Sequence, residues 1–183
     1  MQTTHTAELS ARFGRKVRNL MDTTEYKQIF ENVNLSADSK SAGRWETSHG
    51  GEYFAAGVGG AITGRGADLL IIDDPHSEQD ALSPTALESA YEWYTSGPRQ
   101  RLQPGGAIVI VMTRWSTLDL TEKLLRRMGE DHADKWEVLE LPAILESGKP
   151  LWPGFWKLEE LESVKASLPV AKWHAQYMQN PTS

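Results

Sequence analysis

Two adjacent carboxylates, Asp73 and Asp74, follow the unbroken apolar run Leu69-Leu70-Ile71-Ile72 and precede Pro75. No polar residue alternates within the run. It therefore predicts a strand buried on both faces, as at the centre of a parallel sheet. Pro75 has no N–H to give a ladder and should end it. Acids at the carboxyl end of a buried strand lie where open α/β sheets place their ligands. The chemistry that suits such a pair is metal-assisted phosphoryl transfer to water. One carboxylate helps hold Mg²⁺, usually through water, and the next orients or deprotonates the attacking water. The same residues also read as a buried strand with a solvated acidic exit. His76 and Glu78 are further titratable groups close by.

Three other groups could touch phosphate. The glycine-dense stretch from Gly57 to Gly66 carries Arg65 and leads directly into the acidic strand. It reads either as a flexible connection or as a loop that presents Arg65 to a nucleotide. A second apolar run, Ala107 to Met112, ends in Thr113-Arg114-Trp115, again polar groups at a strand exit. The segment Ala7 to Met21 predicts a helix with Arg12, Arg15, Lys16, Arg18 and Asn19 on one face, either solvated surface or a contact to DNA or phosphate. The phosphate-cradling pattern G-x-x-x-x-G-K-[ST] does not occur in the sequence.

The elements that must position these groups follow from periodicity. In the first helix Leu9, Phe13, Val17 and Leu20 share the face expected to turn inward, and Gly14 weakens it. Met1 to Thr6 carries no clear signal. Asp22-Thr23-Thr24-Glu25 has the form of a capping box for a short helix through Phe30, with Tyr26, Ile29 and Phe30 inward. Asn32 to Gly43 reads as a surface loop, and Gly43 to Val58 as a hairpin turning at Gly50-Gly51. Ser83-Pro84 opens a helix that buries Leu87, Ala90, Tyr91 and Tyr94. The run Ala107 to Met112 predicts a second buried strand, and Leu118 to Met128 a helix. Two strand–helix units in succession imply a right-handed parallel α/β layer. Trp136 to Leu141 alternates as a strand with one exposed face. Leu151 to Trp156 is an aromatic, turn-rich segment that could lie as a lid over a sheet edge. Leu158 to Leu168 and Val170 to Met178 predict two closing helices.

The chain has 183 residues, a formal net charge of −6, 39% hydrophobic residues and no cysteine. This is enough for one domain with a real core. The acidic balance argues against a dedicated nucleic-acid binder but leaves room for local basic patches. Without cysteine there are neither disulfides nor thiolate metal sites. No apolar run reaches the length of a membrane span.

Three separated motifs carry a family likeness. The string from Gly59 to Pro75, with its Asp73-Asp74 exit, resembles the second acidic (Walker B) motif of the large terminase subunit of tailed bacteriophages. Met112 to Leu120 is similar to the next motif of that family. Tyr177 to Thr182 is similar to the segment that closes its ATPase domain. The likeness covers nearly the whole chain in the right order.

The resemblance implies a DNA-packaging motor in the cytoplasm of a bacterial host. Large terminases join a P-loop ATPase domain to an RNase H-like nuclease domain and assemble as a ring at the portal of an empty capsid. The implied fold is an open, mostly parallel sheet of the additional-strand P-loop NTPase type. The implied cofactors are Mg²⁺ and ATP. The implied partners are double-stranded DNA, the small terminase subunit, the portal protein and other large subunits. Asp73 falls at the metal-associated carboxylate, and Asp74 where many members have a catalytic glutamate. Thr113 and Arg114 fall in the motif that couples hydrolysis to movement. Arg65 falls on a loop where some members place a finger acting on a neighbouring subunit. There are two departures. The phosphate-binding loop is missing, so residues 1–183 are expected to be the C-terminal part of an ATPase domain, incomplete at its N-terminal end, with residues 144–183 leading towards an absent nuclease domain. Aspartate also replaces glutamate at 74, one methylene shorter. Alternative readings are a non-catalytic module that binds motor or portal partners, and a metal-dependent nuclease using Asp73 and Asp74.

Overall fold

A computed structural model describes residues 1–182, with the side chains of all but 39 and 40. The chain forms two compact units. Unit 1 is Met1–Ser77 with Ser89–Met112, and unit 2 is Glu78–Glu88 with the chain from Thr113 onward.

Unit 1 is an α/β layer on a six-stranded sheet. Its strands are β1 (Gln2–Thr4), β2 (Leu35–Lys40), β3 (Arg44–Thr47), β4 (Glu52–Gly57), β5 (Ala67–Asp73) and β6 (Leu102–Val111). The order is β2-β3-β4-β1-β5-β6. Strands β4, β1, β5 and β6 run parallel, and β2 and β3 close one side as antiparallel hairpin strands. The mostly parallel α/β sheet is as the sequence predicts, and so is the adjacency of β5 and β6.

Three expectations are corrected. First, β6 is an outer strand, not a central one. The central position beside β5 belongs to β1, three residues in a segment that gave no signal. Gln-Thr-Thr has no apolar run, but threonine is β-branched and suits a strand. Thr3 and Thr4 are both fully buried. Second, the two faces of β5 and β6 are not buried alike. Leu70 and Ile72 are fully buried, whereas Leu69, Val109 and Val111 are 46%, 45% and 55% exposed. An unbroken apolar run says that both faces are apolar, not that both are covered. Third, residues 35–40 pair as β2 although their polar composition reads as a loop, because β3 offers them a ladder.

Helix α1 (Ala7–Met21) has the predicted bounds, with the Thr6 hydroxyl capping the Leu9 N–H. Its buried face is rotated from the predicted one. Ser10, Gly14 and Met21 are buried, while Val17 and Leu20 are exposed. Gly14 is a point of close approach. The Trp45 indole donates to the Gly14 carbonyl at 3.1 Å, and a Cβ there would lie 2.6 Å from the Ala42 carbonyl and inside contact distance of the Tyr53 ring. Helix α2 (Thr24–Ile29) is capped by Thr23, not Asp22, and Ile29 and Phe30 face solvent.

Helix α3 (Pro84–Ser96) begins at the predicted Ser-Pro, and Leu87, Ala90 and Tyr94 are buried. Unit 2 holds α4 (Leu120–Arg127) and α5 (Leu158–Ser167), and then α6 (Val170–Lys172), which runs into a π-helical turn, Trp173–Tyr177. The expected strand at Trp136 to Leu141 is not formed. Those residues join no ladder among the described residues, and Val138, Leu139 and Leu141 are exposed. Alternation makes a segment strand-competent, but a strand needs an edge to pair with.

Candidate functional site

The acidic pair closes β5 in unit 1. Its register fixes which way each side chain faces. Gln2 is level with Ala55 and Ile71, Ile71 with Val109, and Asp73 with Val111. Registered neighbours share a face. Helix α1 lies on the face of Gln2 and Ala55. The Tyr53 hydroxyl there is 2.9 Å from Gln2 Oε1 and 2.8 Å from the Ser10 carbonyl, and the Ser10 hydroxyl donates to the Ala56 carbonyl at 2.7 Å. Burial pushes the Tyr53 phenol up to about 12. Asp73 therefore stands on the α1 face, at the carboxyl end of its uncovered half.

Asp73 is half-buried. Burial, and then the charge of Asp74, hold its carboxyl above the ordinary aspartate value. Asp74 is exposed and has φ +44°, a left-handed conformation uncommon outside glycine. Its N–H donates to the Val111 carbonyl at 2.8 Å, and its carbonyl accepts from the His5 N–H at 3.1 Å. His5 Nδ1 lies 3.3 Å from the same carbonyl. The break in the strand is thus held from β6 on one side and from the β1–α1 turn on the other. Strained backbone of this kind, fixed by its surroundings, is a recurrent mark of functional positions. His5 is the residue that sequence reading missed here. Its only signal was a titratable side chain in a turn between two elements, one of which was itself unrecognised. His76, two residues on, is buried.

Arg65 is in the same unit but at the other end of the sheet. Its guanidinium pairs with Glu52 Oε1 at 2.5 Å and lies 4.1 Å from the centroid of the Phe54 ring. Glu52 also accepts from Arg44 at 3.1 Å. By register Glu52 is level with Asp68, five residues before Asp73, which separates the two sites by about 16 Å along the strands. Within one chain the structure does not bring Arg65 to the acidic pair.

Thr113 and Arg114 are in unit 2. Arg114 is buried, with Nε 2.9 Å from Asp119 Oδ2 and Nη2 2.7 Å from Glu122 Oε2. Burial pulls its pKa down, but the hydrogen bonds and charges of Asp119 and then Glu122 outweigh it and leave it raised. Asp119 is fully buried, caps α4 by accepting from the Glu122 N–H at 2.9 Å, and also accepts from the Trp115 N–H at 3.0 Å. Two carboxylates thus hold Arg114 in place within its loop, and Asp119 is a second residue that the sequence reading did not single out. Glu78, also in unit 2, is exposed and paired with Lys172 at 2.7 Å, which holds its carboxyl below the usual range.

Among the described residues no group of three or more His, Asp or Glu is gathered as a metal site; two carboxylates at most are what this strand exit offers, the number that Mg²⁺ takes when it keeps its waters. A cation there would oppose the charge of Asp74, the second cause of the raised Asp73 pKa. The pattern G-x-x-x-x-G-K-[ST], which cradles a nucleotide's phosphates, does not occur in the sequence. No protein-family model matches the chain, and no curated protein matches it.

Proposed function

We propose that this chain is the acidic-motif portion of an ATPase domain in a DNA-packaging motor of the large-terminase type, acting on double-stranded DNA at a portal together with the small subunit and other large subunits. The observation that carries the reading is the end of β5. A half-buried carboxylate and an exposed, backbone-strained one follow each other there, at the carboxyl edge of a parallel sheet. Asp73 is the Mg²⁺ carboxylate in this reading. A bound Mg²⁺ supplies the charge that bridges phosphate to protein. Asp74, on the solvent side, accepts a proton from water or orients it. Its shorter side chain requires that water to sit closer than a glutamate would.

Thr113 and Arg114 belong to the coupling loop, with Arg114 as the rigid element that Asp119 and Glu122 hold. The phosphate cradle must come from another polypeptide segment. The chain alone should therefore release no phosphate from Mg²⁺-ATP. Joined to, or mixed with, the phosphate-binding segment of a large terminase, it should hydrolyse ATP. In that assembly Asp73→Asn should weaken Mg²⁺-nucleotide binding. Asp74→Asn should spare binding and slow single-turnover hydrolysis by about 10²- to 10⁴-fold. If both changes lower affinity only, the two acids share a metal, and Mg²⁺-dependent DNA cleavage becomes the assay to run.

A further inference from the structure

Helix α1 turns small residues inward and a row of cations outward. Ser10, Gly14 and Met21 are buried. On the period of an α-helix, Arg12, Arg15, Lys16 and Asn19 fall on the opposite side, at i, i+3, i+4 and i+7. All four are exposed. Lys27, Arg44 and Arg65 of the same unit each hold a carboxylate, Asp22 at 2.7 Å for the first and Glu52 at 3.1 and 2.5 Å for the others. Arg12, Arg15 and Lys16 have no carboxylate partner among the described residues. Asn19 Oδ1 accepts from Arg18 Nη2 at 3.1 Å, which leaves the Asn19 amide nitrogen as a donor. Glu8, the one acid of α1, sits in the first turn, where the helix dipole favours it.

We infer that this row is a contact surface for the phosphate backbone of double-stranded DNA, engaged by charge and not by base sequence. Three observations select this occupant. The first is charge complementarity. Helix α1 carries four cations and one acid, in a chain whose net charge is −6. A polyanion is repelled by the chain as a whole and attracted at the unpaired row, so the row decides where it lands. The second is the donor set. Two guanidinium groups, an ammonium and an amide are groups that bond phosphate oxygens, and the guanidinium fork matches phosphate with two parallel bonds. The third is what stands in the row. Only Glu8 joins the four, and the exposed apolar residues Val17 and Leu20 lie to one side. A protein interface has an apolar or aromatic centre and is depleted in lysine, and a helix lying in a membrane surface needs an apolar face to insert. A phosphate backbone needs neither.

The row itself stands on the geometry of unit 1, whereas naming its polyanion as double-stranded DNA rests on the motor reading. To that reading it adds the residues that touch the duplex. Contacts of this kind position a protein on DNA without reading bases and let it slide along the duplex.

The test is fluorescence anisotropy of the full chain with a labelled DNA duplex over a salt series, without ATP or Mg²⁺. Binding should weaken as salt rises and should be alike for duplexes of different sequence. Each of Arg12→Gln, Arg15→Gln and Lys16→Gln should lower the slope of log affinity against log salt by about 0.9, and the triple variant should bind at least about tenfold more weakly. Lys165→Gln, an equal change of charge on α5, should leave affinity and slope unchanged. Arg12→Lys combined with Arg15→Lys should keep the slope, because the charge remains. All these positions are exposed, and circular dichroism checks that the variants remain folded. Absence of salt-dependent binding, a triple variant that binds like the parent, or an effect of Lys165→Gln as large as that of the row overturns the inference. So does polyglutamate that displaces the duplex at equal charge concentration, which would mark an acidic polypeptide as the partner. Self-association of the chain that the triple variant loses would overturn it too. ATP turnover enters none of these readouts. A chain that binds duplex through the row but never hydrolyses ATP keeps the row and loses the motor reading, so the two failures are distinguishable.

Discussion

Two halves of one sheet face are built by opposite means. Over β4 and β1 the helix α1 comes down on small residues. Ser10 hydrogen-bonds the Ala56 carbonyl, Gly14 receives the Trp45 indole, and stacked Trp45 and Tyr53 rings, 5.0 Å apart, wall the contact. Over β5 and β6 the same face keeps branched apolar side chains, of which Leu69, Val109 and Val111 are about half exposed. The closed half is specific and tolerates no added atoms. The open half is apolar but unspecific in itself, and the acidic pair stands at its end. The difference teaches that hydrophobicity marks a surface that can be covered, whereas small residues and matched hydrogen bonds mark one already covered.

The comparison breaks or holds on substitutions of equal chemistry. The largest contrast is Leu70→Ala against Leu69→Ala on the same strand. Leu70 is fully buried, and its truncation should cost about 2–5 kcal/mol. Leu69 is 46% exposed, and its truncation should cost less than about 1 kcal/mol. Denaturant unfolding measures both. Similar losses would mean that the open face is closed in solution. Next is Gly14→Ala. Its Cβ enters the space of the Tyr53 ring and the Ala42 carbonyl, so the helix or the ring must shift, at about 1–3 kcal/mol. On helix propensity alone the same change should stabilise by about 1 kcal/mol. The sign of the result decides between contact and propensity.

A smaller effect separates the acids. Asp73 has a folded pKa raised by burial and by Asp74. A raised acid favours the folded state in its protonated form. That contribution is complete below the unfolded pKa and is lost as pH rises through the folded one. Asp73→Asn should therefore stabilise the metal-free chain at neutral pH and lose this advantage on acidification through the aspartate range. Asp74→Asn should lower the Asp73 pKa, which NMR titration of the carboxyl carbons reads directly. An unchanged Asp73 titration in that variant would mean that the two charges do not sense each other.

Much of this arrangement was legible. The acidic strand, its neighbour, the hairpin, α1 and α3 follow from apolar runs, turn glycines and caps. What was not legible has common physical causes. Strand β1 is short and made of residues that are polar by composition, so no period marks it, yet it sits at the centre of the sheet. The inward face of α1 was misread because leucines and phenylalanine outweigh serine and glycine in any hydrophobic count, while the sheet required the smaller side. Open edges leave no trace in a sequence, since an outer strand and an inner one can share one apolar run. The partners of Arg65 and Arg114 were hidden for a different reason. Their carboxylates, Glu52 and Asp119, become meaningful only once the fold has placed them.

Arg65 gives the smallest expected effect on the isolated chain. It shares Glu52 with Arg44 and lies over Phe54, an arrangement near the surface. Exposed ion pairs and cation–π contacts of this kind contribute roughly 0.5–1 kcal/mol each, and Arg44 remains to pair with Glu52 when Arg65 is removed. Arg65→Ala should therefore lower stability by no more than about 1 kcal/mol, and high salt should shrink the difference. Arg65→Lys should recover part of it, because a lysine keeps the ion pair but not the planar stacking. Neither change should alter the Asp73 titration, since the two residues lie at opposite ends of the strands. If Arg65 also serves a neighbouring subunit's phosphates in an assembled motor, its removal there should cost about 10³- to 10⁵-fold in hydrolysis while nucleotide binding persists. A loss of that size in the assembly, beside a loss of under about 1 kcal/mol in the monomer, would show a residue held in reserve by Glu52 and used across an interface. A loss in the monomer alone would make Arg65 a clasp for the start of β4 and nothing more.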